Sequence, residues 1–135
     1  MDHAPPIDLT PLRQALAQLE EALRFWREQP PDAPLARHLR AAVIQAFEFS
    51  YELSVRLLRR VLMERAAAQQ QVADLSFNDM LRRASDAGLL ADPLAWRRWR
   101  EMRNATSHTY DEARAEAVAQ AVAGFVPEAR RLLQA

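Results

Sequence analysis

The chain has 135 residues, enough for one domain with its own core, and its 18 basic and 18 acidic side chains leave a formal net charge of zero. Cysteine is absent, which excludes a disulfide framework, a thiolate metal site and a cysteine nucleophile, and fits a cytoplasmic protein. No apolar run approaches the roughly 20 residues of a membrane span, and Met1 to Pro6 lack the basic and apolar regions of a secretion signal, so no membrane association is expected. All 18 basic side chains are arginine. That usage reads as the mark of a GC-rich genome, yet guanidinium grips phosphate bidentately where ammonium is a point charge.

Residues 1–9 read as a tail and 10–134 as a single domain. Leu9, Leu12, Leu16, Leu19, Leu23 and Trp26 recur at alternating spacings of three and four, the seam of a bundled helix. Thr10-Pro11 is its start signal, a hydroxyl cap followed by proline. The run Gln29-Pro30-Pro31-Asp32-Ala33-Pro34 ends it, because proline cannot donate to the helical ladder. From Leu35 to about Arg65 nothing breaks a helix, which predicts a rod of roughly 45 Å. One stripe of that helix carries Leu39, Val43, Ala46, Ser50, Leu53, Leu57 and Val61, and a second carries Phe47, Tyr51, Val55, Leu58 and Leu62. Together they cover roughly 200°, wider than the face of a surface helix. Such a helix is expected to be central to its own bundle and shared with a second subunit.

The low-complexity stretch Ala66 to Gln71 is expected to fray into a loop. Ser76-Phe77-Asn78-Asp79 reads as a capped third helix that stops at Gly88. Asp92-Pro93 opens a fourth, and Asp111-Glu112 a fifth that runs toward Leu133 with a kink or break at Pro127. No segment alternates as a strand does. The expected fold is all-α, an antiparallel bundle of about five helices.

Of the three histidines, His3 lies in the tail. His38 sits between Arg37 and Arg40, where a solvated role and a phosphate-touching role are equally open. His108 closes the polar run Arg103-Asn104-Ala105-Thr106-Ser107-His108-Thr109-Tyr110, whose Asn104, Thr106 and Ser107 compete for backbone hydrogen bonds and loosen the helix. With Trp96 as zero on the helical wheel, Trp99 falls at about −60° and Arg103 at about −20°, so Arg103 lies within the aromatic stripe. A charge there needs a partner. Glu48 and Glu52 of the long helix are the candidates; Glu52 is equally placed for an ordinary surface pair with Arg56, four residues on. Charge is also uneven. Residues 1–34 hold three arginines against six acids, whereas 82–103 hold Arg82, Arg83, Arg97, Arg98, Arg100 and Arg103 against three. Such clustering is usually a solvated face, but beside a histidine it also suits an anion such as RNA.

The pattern Arg103-x4-His108-x-Tyr110 resembles the R-x4-H-x-Y signature of HEPN domains, in particular HEPN toxins paired with minimal nucleotidyltransferase antitoxins, also described as nucleotidyltransferase substrate-binding proteins. The blocks Val43 to Leu53 and Ala87-Gly88-Leu89-Leu90 are similar to the same family, and the likeness covers residues 10–130. The resemblance implies a four-helix-bundle-like fold that forms a homodimer with the two motifs facing each other. It also implies a metal-independent endoribonuclease acting on RNA, with Arg103 and His108 catalytic, needing no cofactor or metal. Asn104, Ser107, Glu48, Glu52 and Arg100 are the supporting or RNA-binding candidates. It further implies a cognate nucleotidyltransferase antitoxin that transfers AMP to Tyr110. The alternative is a non-catalytic substrate-binding subunit of a two-component nucleotidyltransferase.

Overall fold

The structure, a computed structural model, describes residues 7–105 and 111–134. Among them it has seven helices and no strand: α1 (Thr10–Arg27), α2 (Pro34–Arg65), α3 (Gln69–Ala73), α4 (Phe77–Asp86), α5 (Pro93–Ala105), α6 (Glu112–Val122) and α7 (Phe125–Leu132). The expected all-α class holds, with two more helices than the sequence pattern predicts.

The leucine seam of α1 is buried as its spacing requires, with Leu16 and Leu19 fully enclosed and Leu12 and Leu23 nearly so. The proline-rich linker turns the chain back, and α1 and α2 pack along each other. The wide apolar arc of α2 has a direct structural counterpart: α2 touches each of the other six helices. Val43, Phe47, Tyr51, Leu58 and Leu62 are core, whereas Ala46, Leu53, Leu57 and Val61 are half-buried and Phe49 beside them is 56% exposed. One chain therefore leaves the outer margin of α2 open to solvent.

Three start signals work as read. Ser76 Oγ accepts from the Asp79 amide at 3.2 Å, Asp92 Oδ1 from the amides of Leu94 and Ala95 at 3.1 and 3.2 Å, and Asp111 Oδ1 from those of Ala113 and Arg114 at 3.0 and 3.4 Å. Gly88, with φ of 77°, ends α4 in a left-handed turn in which the Gly88 and Leu89 amides donate to Ser85 and Ala84 at 3.0 and 2.9 Å.

Three expectations need correction. Thr10 is the first helical residue and does not cap α1; the acceptor is Asp8, whose Oδ1 takes the Thr10 amide at 2.9 Å. Gln69–Gln71 do not fray but open the short helix α3, because Val72 is buried and Arg59 Nη1 donates to the carbonyls of Val72, Ala73 and Leu75 at 2.9, 3.2 and 3.1 Å, closing the helix C-terminus. The break in the last segment falls at Ala123–Gly124, with Pro127 inside the first turn of α7. Proline has no N–H to give to the carbonyl four residues back and its ring collides with it, so the ladder fails at Ala123 and not at the ring itself.

Phe125 then plugs the core. Its ring lies edge-on to Phe47, Trp96 and Trp99 with centroids 5.3, 5.9 and 5.4 Å away, and 6.1 Å from Tyr51. Arg130 Nε donates to Glu20 at 2.6 Å and ties α7 to α1. In urea denaturation, Phe125→Ala is expected to cost about 3–5 kcal/mol as a fully buried ring is removed. Arg59→Met should cost about 1–3 kcal/mol, because three carbonyls lose a charged donor.

Candidate functional site

The aromatic stripe of α5 sets the position of Arg103. Trp96 is fully buried and Trp99 nearly so, their rings edge-on at 5.3 Å, and Tyr51 of α2 lies 6.2 Å from Trp96. Arg97 and Arg98, off this stripe, are exposed, while Arg103, one turn beyond Trp99, emerges at its end with its side chain 39% exposed. There its Nη2 donates to Glu52 Oε1. Of the two roles open to Glu52, the structure shows the one across the bundle; no ion pair with Arg56 is found among the described residues.

Glu48 lies one turn before Glu52 on α2, half-buried, and its charge acts on Arg103 as well. The hydrogen bond that Arg103 donates to Glu52 is the main reason that it holds its proton above the ordinary arginine range. Guanidinium is therefore charged throughout, fixed on one side and still open to solvent. Arg100 is exposed and stacks on Phe77 of α4, its guanidinium carbon 4.4 Å from the ring centre. Asn104 is exposed in the last turn of α5. Ser107, His108 and Tyr110 lie outside the described residues.

The basic run at 82–103 is partly neutralised: Arg82 pairs with Asp79 at 3.8 Å, Arg98 with Asp92 at 3.7 Å, and Arg103 with Glu52. Behind Arg103 lies a feature that the stripe pattern hid. The spacing of Tyr51 marks it as an ordinary core aromatic, but its hydroxyl is buried without a hydrogen-bond partner among the described residues, as is Trp96 Nε1. Burial raises the Tyr51 pKa well above its ordinary 10.0, although Arg100 and Arg103 pull against the shift. The phenol is thus neutral and backs the cationic end of α5.

Residues 7–135 match the family model described as nucleotidyltransferase substrate binding protein like. The chain belongs to the HEPN/nucleotidyltransferase substrate-binding family. Among relatives, the "Probable ribonuclease HepT" of Haemophilus influenzae is 37% identical over 123 residues, covering 91% of this chain and 82% of that protein. A solved structure from the same organism, described as the fold of a substrate binding domain of a nucleotidyltransferase, superposes with a TM-score of 0.85 at 35% identity, covering 94% of this chain and 97% of that one. In this member of the HEPN/nucleotidyltransferase substrate-binding family, Arg103 thus stands in the last turn of α5, its guanidinium held by Glu52 of α2.

Because both partners of the Arg103–Glu52 pair are about 40% exposed, Glu52→Gln is expected to change stability by less than about 1 kcal/mol in urea denaturation. Tyr51 gives a pH prediction. In a Tyr110→Phe variant it is the remaining one of the 2 tyrosines, and its absorbance should stay that of the phenol as pH passes 10.0 in the folded protein. The unfolded chain releases that proton near 10 and the folded one does not, so stability is complete below pH 10 and falls as pH rises above it.

Proposed function

We propose that the protein is the toxin of a toxin–antitoxin pair, a metal-independent endoribonuclease whose site is composed at a homodimer interface. The observation that carries this reading is the pre-oriented, half-open guanidinium of Arg103 at the head of the Arg103-x4-His108 motif. Its support from relatives is the likeness to a protein named a probable ribonuclease.

Cleavage of RNA through its own 2′-hydroxyl needs a base to take that proton and an acid to give one to the departing 5′-oxygen. As the 2′-oxygen bonds to phosphorus, the 5′-oxygen bond breaks and a cyclic phosphate remains. One chain offers a single motif histidine, and a two-fold dimer offers two: His108 takes the first proton and the partner subunit's His108 gives the second. Arg103 carries the charge that builds on the phosphoryl oxygens, through its solvent-facing guanidinium. Asn104, Ser107 and Arg100 contact the strand, and Glu52, with Glu48 behind it, sets the guanidinium. Nothing in this scheme needs a metal. The cognate nucleotidyltransferase silences the toxin by moving AMP from ATP to the Tyr110 hydroxyl, with release of pyrophosphate. Two residues from His108, the bulky anion blocks and repels RNA.

The solved relative described as a substrate binding domain favours a second reading, in which the same arginine holds a nucleotide phosphate for a nucleotidyltransferase without cutting anything. Incubation with RNA and a chelator separates the two. The first reading expects cleavage that falls about 10²–10³-fold in Arg103→Ala and at least as far in His108→Ala. Cleavage that survives equally in both variants, or is absent from the parent protein, would rule it out. Light scattering should show a dimer at micromolar concentration. With ATP and the partner enzyme, intact mass should rise by one adenylyl group, and Tyr110→Phe should abolish the rise.

A further inference from the structure

At the N-terminal end of α2, the last turn of α1, the proline linker, the start of α2 and one face of α6 line a cavity of about 430 Å³. Trp26 and Arg27 come from α1, Arg37 and Arg40 from α2, and Glu116 and Gln120 from α6. Cations are in excess. Arg40, with only 15% of its side chain exposed, spends its charge on Glu116 at 3.4 Å. Arg37 makes only a 3.8 Å contact to Glu112 in which both side chains are more than half exposed, an association worth little in water. Arg27 has no ion pair among the described residues. The cavity thus presents an apolar aromatic wall, guanidinium groups with donors to spare, and a carboxamide able both to give and to accept.

We propose that this cavity binds a nucleotide, with the base against Trp26 and Gln120 and the phosphate on Arg37 and Arg27. Each part of the lining has its counterpart in that ligand: an indole stacks on any base, and a guanidinium fork matches two phosphate oxygens. The volume lies in the range of small-molecule sites. Arg40, already neutralised by Glu116, holds the floor. The nucleotide is either free or one unit of an RNA strand. A narrower crevice of about 180 Å³ shares Arg37 and Arg40 with the cavity and extends to Glu48, one turn from the carboxylate that holds Arg103. His38, beside this rim, is exposed. The binding stands apart from cleavage: it needs no chemistry at Arg103, and its readout is affinity alone.

The test is fluorescence anisotropy with labelled 2′-O-methyl hexa-adenylate, which lacks the hydroxyl needed for cleavage, against the full chain at low salt. Saturable binding is expected, weakened about tenfold by Trp26→Leu and by Arg37→Gln and unchanged by Arg82→Gln on the distant α4. Arg37→Gln alters a solvent-exposed side chain, so it decides the matter even if the Trp26 variant folds poorly. Competition by AMP assigns the cavity to a free nucleotide; dependence on Trp26 and Arg37 without such competition assigns it to the strand. Absence of saturable binding, parent-like affinity in both variants, or displacement by a hexaglutamate peptide as effective as by AMP would overturn the proposal.

Discussion

Everything about the position of Arg103 depends on the packing of five aromatic rings where α2, α5 and α7 meet. Phe47, Tyr51, Trp96, Trp99 and Phe125 lie within 5.3–6.2 Å of one another in the pairs that touch, mostly edge to face. Such contacts resist sliding, because a ring locked between perpendicular neighbours cannot shift without opening a void. The rotation of α5 about its axis is thereby fixed, and with it the direction in which a residue one turn beyond Trp99 must point. That direction is toward Glu52. The ion pair adds little stability at its level of exposure; its consequence is orientation of a charge that the hydrophobic core has already delivered.

A net charge of zero is compatible with such a site because this chain gives its arginines different tasks. Arg59 closes a helix end on three carbonyls, Arg130 joins α7 to α1, and Arg100 lies over an aromatic ring. Two of the five arginines that precede Arg103 in the basic run, Arg82 and Arg98, are paired locally with carboxylates. What distinguishes Arg103 is therefore not charge density. It is a guanidinium held from one side and exposed on the other, beside a buried phenol whose own ionisation is suppressed. Such a group can meet a phosphate without first paying to become ordered.

The long helix, its centrality and the alignment of Arg103 with the tryptophans were legible because periodicity along one helix is a local property of the sequence. Asp92, Asp111, Ser76 and Gly88 were legible for the same reason, since a cap needs only its own neighbours. The partner of Arg103 was open between two acids one turn apart, because the choice rests on how α5 is rotated against α2. Phe125 as the centre of the core was not legible at all. It depends on where the last segment breaks, and that break lies four residues ahead of the proline that causes it. The Asp8 cap, the Arg59 clamp and the cavity at Trp26 escape sequence reading because they join segments through tertiary contacts or a shifted helix start. The fate of Ser107, His108 and Tyr110 rests on the sequence motif alone.

In the proposed ribonuclease, Glu52 acts on RNA cleavage only through Arg103. A double-mutant cycle on the cleavage rate, using Glu52→Gln and Arg103→Ala in the 135-residue chain with a chelator present, tests this most directly. Glu52→Gln should slow cleavage by the parent protein and have no further effect once Arg103 is alanine. If the two losses simply multiply, the carboxylate has a role of its own and the orientation of Arg103 is not its purpose.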